Sequence, residues 1–122
     1  MLRSSIILAG VLGLMAGQPA TAIEAPYEQS LLRLAEVLGS LHYLRNLCGE
    51  PGDSWRGEME KLLATEKPDE ARKAKLVASF NHGYRSFETS YSTCTASAIE
   101  SIRRYMKEGE TLTRDVAGRY GN

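Results

Sequence analysis

The two histidines, His42 and His82, are the side chains of this sequence best suited to binding a metal ion. A transition-metal site usually takes its ligands from a short motif such as H-x-x-x-H, E-x-x-H or a Cys-His cluster, because close ligands share one element. The sequence contains no such motif, and Glu36 or Glu88 would have to complete a site from a distance. We therefore interpret both histidines as boundary or surface residues and predict no metal.

The sequence gives acid/base and nucleophilic catalysis no more support than it gives a metal site. The sequence has no G-x-S-x-G motif and no serine–histidine context typical of a catalytic triad. The absence of C-x-x-C-H excludes covalently attached c-type haem. The acidic pairs Glu58 with Glu60 and Glu108 with Glu110 are each two residues apart, so on a helix their members point to different sides. We therefore predict no catalytic residues and no cofactor, that is, a protein that is not an enzyme.

One group of polar residues lies on or beside the apolar faces of the predicted helices. A charge at a buried position such as Arg45 needs a partner. Asn81-His82-Gly83 are weak helix formers, and Gly83 would allow either the close approach of a neighbouring helix or a kink. Two interpretations stay open, a small polar pocket or a hydrogen-bonded belt at the edge of the fold, and we favour the belt. The candidate residues are Arg45, Asn81, Tyr84, Arg85 and Tyr91.

An apolar seam with alternating steps of four and three residues predicts the first helix that would position these side chains. We expect this helix to begin near Pro26, since proline suits a first turn. Gly49 and Pro51-Gly52 end it. The seam consists of Tyr27, Leu31, Leu34, Leu38 and Leu41, and continues after Arg45 with Cys48.

A short second helix and a long third helix are predicted next. Asp53 or Ser54 can cap the second helix. It ends near Glu66, because the residue before Pro68 disfavours the helical conformation. Pro68-Asp69-Glu70 opens the third helix, with acidic residues at the positive end of its dipole. The apolar face of the second helix is Trp55, Met59, Leu62 and Leu63, and the seam of the third is Val77, Phe80, Tyr84, Phe87, Tyr91, Cys94 and Ala98.

A fourth segment follows a helical period to the end of the chain. Thr93 or Thr95 can cap a separate helix there or mark a kink in a continuous one, and Gly121 can serve as its C-terminal cap. No strand pattern accompanies these helices. Since the linkers are short, neighbouring helices should pack antiparallel. The sequence thus predicts an all-α fold, a small up-down-up-down four-helix bundle with three long helices and one short helix.

Cys48 and Cys94 are the two cysteines of the chain, and we predict that they form one disulfide. A disulfide requires Cα atoms within about 7 Å. The first and third helices must then run in the same direction, with their C-terminal ends together. This alignment places Leu31 level with Val77. It also places Arg45 level with Tyr91, where the guanidinium would stack on the ring or reach Glu88.

The N-terminal segment has the features of a secretory signal peptide. Arg3 precedes a short apolar run, and Ala20-Thr21-Ala22 fits the small-x-small rule for cleavage. We predict a signal peptide at residues 1–22, a single helical domain at residues 23–122, a periplasmic location and no transmembrane segment after cleavage. Residues 23–122 carry 14 Lys and Arg against 15 Asp and Glu, a net charge of −1. There is no basic excess to bind nucleic acid.

Three stretches resemble a family of small exported alphaproteobacterial proteins of unknown function. They are LHYLRNLCG at residues 41–49, FNHGYRSFETSYSTCT at residues 80–95 and IRRYMKEGETL at residues 102–112. The pattern FN-x-GYR…Y-x-x-C is the most specific part, and the resemblance extends from Tyr27 to Tyr120. It implies a helical domain and periplasmic export, and both cysteines fit the pattern of the family. It implies no activity, cofactor or catalytic residue.

Two functions are compatible with these observations. The first is a non-enzymatic periplasmic protein that contacts another cell-envelope component. Its partner surface would be the second helix with its flanking loops, where Trp55 lies near Gly52 and Gly57, and tryptophan is enriched at binding hot spots. The alternative is a periplasmic bundle that binds a small ligand or a metal between its helices, near Arg45 and Tyr84. If Trp55 is part of the core, the first hypothesis loses the residue on which its partner surface depends.

Overall fold

The computed structural model describes residues 21–120, with side chains described from residue 26 to residue 118. This part of the chain contains four α-helices and no strand. The predicted all-α fold with three long helices and one short helix is confirmed. The predicted signal peptide falls almost entirely outside the described residues. The helices are α1 (Thr21–Leu47), α2 (Ser54–Glu66), α3 (Glu70–Ser90) and α4 (Ala96–Tyr120).

The ends of the helices follow local sequence signals in most cases. The Asp69 carboxylate accepts a hydrogen bond from the Arg72 N–H at 2.8 Å and caps α3. The Thr95 hydroxyl accepts one from the Ala98 N–H at 3.0 Å, so α4 is a separate helix. The start of α1 differs from the prediction, because Pro26 lies inside the helix rather than at its first turn. A proline there removes one backbone hydrogen bond near the helix end.

The turn between α1 and α2 depends on glycine. Gly49 and Gly52 have φ angles of 103° and 137°, a region that residues with a side chain rarely adopt. Asn46 holds the turn closed, since its Oδ1 accepts from the Gly52 N–H at 2.7 Å while its Nδ2 donates to the Gly52 carbonyl at 3.0 Å. The chain therefore reverses direction within a few residues.

The helix directions agree with the predicted up-down-up-down order. Arg72 of α3 pairs with Glu28 near the start of α1, at 2.8 Å, and Cys94 bonds to Cys48 at the other end, with 5.0 Å between Cα atoms. Helices α1 and α3 are therefore parallel. The core consists of two clusters. Val116 of α4 lies in one cluster with Leu31, whereas Ile102 lies in the other with Leu44, so α4 is antiparallel to α1.

Helix α1 is the central element, and the other three helices pack mainly on it rather than on one another. The predicted seam of α1 is buried, but burial extends around most of the helix. Full burial of a leucine or valine side chain contributes about 1.5–3 kcal/mol, so α1 carries most of the hydrophobic stabilisation. The buried residues of α1 are Leu31, Leu34, Ala35, Val37, Leu38, Gly39, Ser40, Leu41 and Leu44.

The buried face of α3 differs from the predicted seam at several positions. Helix α3 ends at Ser90, so Tyr91, Cys94 and Ala98 of that seam lie beyond it, and Gly83 is buried whereas Tyr84 is half-buried.

Leu76 is fully buried, whereas Val77 is 36% exposed, so the predicted layer of Leu31 with Val77 is wrong. Leu76 lies four positions before Phe80 and Val77 lies three positions before it, and both spacings are helical. The periodicity alone permits either of them, and the docking angle of α3 on α1 selects Leu76.

A pair of glycines brings α1 and α3 into backbone contact. A Cβ on Gly83 would lie 2.0 Å from the Glu36 carbonyl oxygen, and a Cβ on Gly39 would lie 1.9 Å from the Phe80 carbonyl oxygen. No larger residue fits at either position without moving a backbone. Helix α3 continues through Gly83, so this glycine provides close approach and not a kink.

Candidate functional site

Arg45 does not make the contact predicted for it. Its guanidinium lies 2.7 Å from Oε1 of Glu50, in the turn after α1, instead of on Tyr91 or at Glu88. The Tyr91 ring is stacked on Phe87, with ring centroids 6.2 Å apart. The correction has a simple cause. The Tyr91 ring packs on Phe87 of α3 and is therefore not available to Arg45. The tight turn after α1 brings Glu50 back to Arg45 instead.

The other members of the predicted belt are divided between different environments. Asn81 and Arg85 are exposed on α3. Tyr84 is half-buried against His42 and Tyr43, with ring centroids at 5.6 and 5.3 Å. The hydroxyl of Tyr43 donates to the Tyr91 carbonyl. The five predicted residues therefore do not converge on one site.

Two of them do line a cleft between α2 and α3. Asn81 and Tyr84 form part of its wall, His42 of α1 lies at its base, and its volume is about 390 Å³. Burial lowers the pKa of His42, and the nearby Arg56 acts in the same direction while Asp53 opposes it. The imidazole is consequently neutral at pH 7. The other histidine, His82, is exposed, with its Nε2 3.8 Å from Glu36.

A larger concavity than this cleft lies between α2 and α4 and is here called the α2/α4 groove. Its volume is about 690 Å³. The floor is formed by Leu34, Leu38 and Leu41 of α1, and Trp55 and Met106 stand on its two walls. Polar residues around the rim are Ser54, Glu58, Arg103, Lys107, Glu110 and Thr113. A smaller extension of about 160 Å³ continues along α2 past Leu62.

The groove exists because α2 and α4 both pack on α1 and leave a gap between themselves. Trp55 is half-buried and packs against residues of both core clusters, so its position on the wall is fixed. Met106 remains 38% exposed and Ile99 52% exposed. Ile99, Arg103 and Met106 are at helical spacing, so the charged Arg103 separates the two exposed apolar side chains on this face of α4.

The charges at the rim are not balanced. Glu58 pairs with Lys61 at 3.2 Å, and Glu110 pairs with Arg114 at 3.0 Å. Arg103 shares Glu100 with a second arginine of α4. Within residues 26–118, Lys107 is in none of the ion pairs. The acids at the rim are thus neutralised while cations on the α4 wall are in excess.

A charged network on another side of α4 was not predicted from the sequence. Arg33 of α1 donates through Nε and Nη2 to both carboxylate oxygens of Glu108, and its guanidinium lies 5.3 Å from the centre of the Tyr105 ring. These hydrogen bonds lower the pKa of Glu108 and raise the pKa of Arg33. The residues are charged positions of two amphipathic helices, and no sequence pattern pairs them. Glu108 and Glu110 do point to different sides, as predicted.

Metal binding and membrane insertion can be considered for the described residues. Between residues 21 and 120, no three His, Cys, Asp or Glu side chains come together so that they could hold a metal ion. In the same part of the chain, no helix has both the length and the apolar character needed to cross a bilayer.

The fold and the groove define the class of this chain, a small disulfide-linked four-helix protein with an apolar groove on its central helix. More specifically, it belongs to the family described as "Protein of unknown function (DUF2385)", whose sequence model matches residues 26–120. A search of curated proteins found no match, and a search of solved structures found none.

Proposed function

We propose that this protein is a non-enzymatic periplasmic protein that contacts another component of the cell envelope through the α2/α4 groove. The observation that carries the proposal is the groove itself. Core leucines of α1 form its floor, and Trp55, which the sequence singled out, stands on its wall. Binding sites are typically concave and mostly apolar, with a few polar groups at the edge.

Export is part of the proposal and has its own support. Cys48 and Cys94 are bonded, and structural disulfides persist in oxidising compartments outside the cytoplasm. The basic start, short apolar run and Ala20-Thr21-Ala22 of the sequence have the same implication. The mature protein should begin at Ile23. N-terminal sequencing of the periplasmic fraction tests this: an intact Met1 would contradict cleavage after Ala22, and absence of the protein from that fraction would contradict export.

Site-specific crosslinking in living cells tests the contact surface. A photoreactive amino acid at Met106, inside the groove, should give a discrete adduct with an envelope component. The same amino acid at Ala78, an exposed position of α3, is the matched control. The adduct from position 106 should be lost in the Trp55→Ala variant. The same adducts from both positions, or none from position 106, would overturn the proposal.

The alternative is a periplasmic bundle that binds a small ligand or a metal near Arg45 and Tyr84. One observation favours it: Nε of Arg45 is buried and has no hydrogen-bond partner among the described residues. Thermal melts against a panel of metals, haem and sugars test this function. A shift of several degrees that disappears in Arg45→Gln supports it, and flat melts across the panel reject it.

A further inference from the structure

We propose that the α2/α4 groove binds a single-chain anionic amphiphile, with the alkyl chain along the leucine floor and the anionic head at Arg103 and Lys107. The inference rests on the proposed function, since it takes the same groove as the contact surface, and it names the chemistry of the bound group. The shape of the floor, the charge of the rim and the position of Trp55 carry it.

Little apolar surface is exposed at the floor of the groove. Leu34, Leu38 and Leu41 line it, yet their exposed fractions are only 5%, 8% and 1%. So little exposed floor offers few contacts to the apolar face of a helix, which is about 10 Å across with its side chains. A linear alkyl chain has the cross-section to reach these leucines. The volume of about 690 Å³ is also within the usual range for small-molecule sites, roughly 300–1,000 Å³.

The floor is also continuous in the direction of the chain. The three leucines follow α1 at steps of four and three residues, so they form one apolar line along the helix axis. The adjoining cavity of about 160 Å³ shares Leu34 and Leu38 with the groove and adds Leu62 of α2 beside this line. A chain lying there buries one CH₂ after another, and each fully buried CH₂ is expected to tighten binding about fourfold.

The rim fixes the sign of the headgroup. Arg103 and Lys107 are four residues apart on α4, so they are neighbours on one face. The two acids on the rim, Glu58 and Glu110, are each paired with a neighbouring cation. Arg103 pairs with Glu100 at 2.6 Å but shares this carboxylate with a second arginine of α4. Lys107 is in none of the ion pairs within residues 26–118, so positive charge is in excess at this end. A carboxylate or phosphate monoester at this end would gain charge-assisted hydrogen bonds from Arg103 and Lys107. A cationic head would meet two like charges.

Trp55 is the single tryptophan of the chain and stands on the groove wall, which provides a direct readout. The probe is bromine-labelled hexadecanoate, used below its aggregation concentration, because bromine quenches a nearby indole. We expect saturable quenching of Trp55. Hexadecanol with the same label should bind at least tenfold more weakly, and hexadecyltrimethylammonium more weakly still. Equal binding of the three probes, or no saturable quenching, would overturn the proposal.

Substitutions on α4 test the contacts of the anionic head separately from those of the alkyl chain. The double variant Arg103→Gln with Lys107→Gln should weaken hexadecanoate at least tenfold and leave hexadecanol unchanged. Lys75→Gln, which removes an exposed cation of α3 that does not line the groove, is the matched control and should leave both probes unchanged. A double variant that binds hexadecanoate as tightly as the wild type, with unchanged circular dichroism, would contradict the assigned head position.

The free acid and a bilayer lipid offer the same chemistry, an alkyl chain with an anionic head. Vesicles of bromine-labelled phosphatidylglycerol distinguish the two sources. Quenching by hexadecanoate and not by the vesicles supports a free single-chain acid, whereas quenching by this two-chain lipid as strong as that by hexadecanoate would overturn the single-chain assignment. If neither quenches while crosslinking from position 106 still captures a protein that needs Trp55, the amphiphile proposal is overturned and the proposed function remains.

Discussion

Helix α1 meets α3 on one side and faces the gap between α2 and α4 on another, and the two regions are built in opposite ways. Against α3, Gly39 and Gly83 allow backbone contact, and the disulfide and the Arg72–Glu28 pair fix the two ends. On the groove side, the leucines of α1 line a cavity between α2 and α4, although little of their surface is exposed. Helix α1 is therefore both the rigid centre of the fold and the floor of the groove.

The disulfide should give the largest effect, because it fixes the α1–α3 side of the comparison. Replacing both cysteines by serine is expected to lower the free energy of unfolding by about 4 kcal/mol, given a separation of 46 residues along the chain. Urea denaturation of the oxidised protein and of the Cys48→Ser, Cys94→Ser variant measures it. A loss below about 1 kcal/mol would show that the glycine crossing alone fixes the two helices.

Close packing at the glycine crossing should rank second. Gly83→Ala places a Cβ 2.0 Å from the Glu36 carbonyl oxygen, so α1 and α3 must separate. Overpacking of this kind costs about 1–3 kcal/mol, and we expect the upper end. Gly57→Ala on α2 is the control, since nothing lies within 4 Å of its Cβ. It should stabilise the protein by up to about 1 kcal/mol. Equal effects of the two substitutions would contradict the contact between backbones.

The Arg33–Glu108 pair tests how α4 is held beside the groove. Both side chains are more than one-third exposed, at 37% and 39%, so solvent screening limits the contribution to roughly 1 kcal/mol. Glu108→Gln should lower stability by that amount at pH 7, and Glu110→Gln, whose partner Arg114 is on the surface, by less.

The same pair predicts a pH dependence. Arg33 lowers the pKa of Glu108 below its usual value, so the stabilisation is fully present above the unfolded-state pKa. It is lost as the pH falls through the lowered folded-state pKa. Denaturation curves of the wild type and Glu108→Gln should therefore converge in acid. A gap between the two proteins that widens as the pH falls would contradict the assigned pair.

The groove wall should give the smallest change in stability. Met106→Ser removes a side chain that is 38% exposed, and we expect less than about 0.5 kcal/mol in urea denaturation. Ile99→Ser, on the same helix but not lining the groove, should be equally mild. Only the Met106 variant should weaken the quenching of Trp55 by hexadecanoate. Comparable weakening by both substitutions would extend the binding surface to the start of α4.

Much of the fold could be predicted because the relevant signals are local. The caps at Asp69 and Thr95, the end of α2 before Pro68 and the seam of α1 each depend on residues within a few positions of one another. The pairing of Cys48 with Cys94 then set α1 parallel to α3. Val77 was placed wrongly because a helical period tolerates two neighbouring candidates for one buried position.

The candidate site was predictable only in part. Trp55 was singled out by its residue type, and it does line the groove. Arg103 and Lys107 carried no signal, because an exposed charge on an amphipathic helix looks the same whether it borders a groove or open solvent. Arg45 was assigned to Tyr91, yet the turn after α1 brings Glu50 to it.

The sequence by itself determined the four helices, the disulfide and the helix directions, because helical periodicity, capping and the pairing of two cysteines are properties of short segments and of residue type. The tertiary structure decided that α1 is buried on most sides, that Gly39 and Gly83 meet α3, and that a groove opens between α2 and α4. These features depend on distances between helices and on their rotation about their own axes. Such quantities arise only when side chains from different segments compete for the same space.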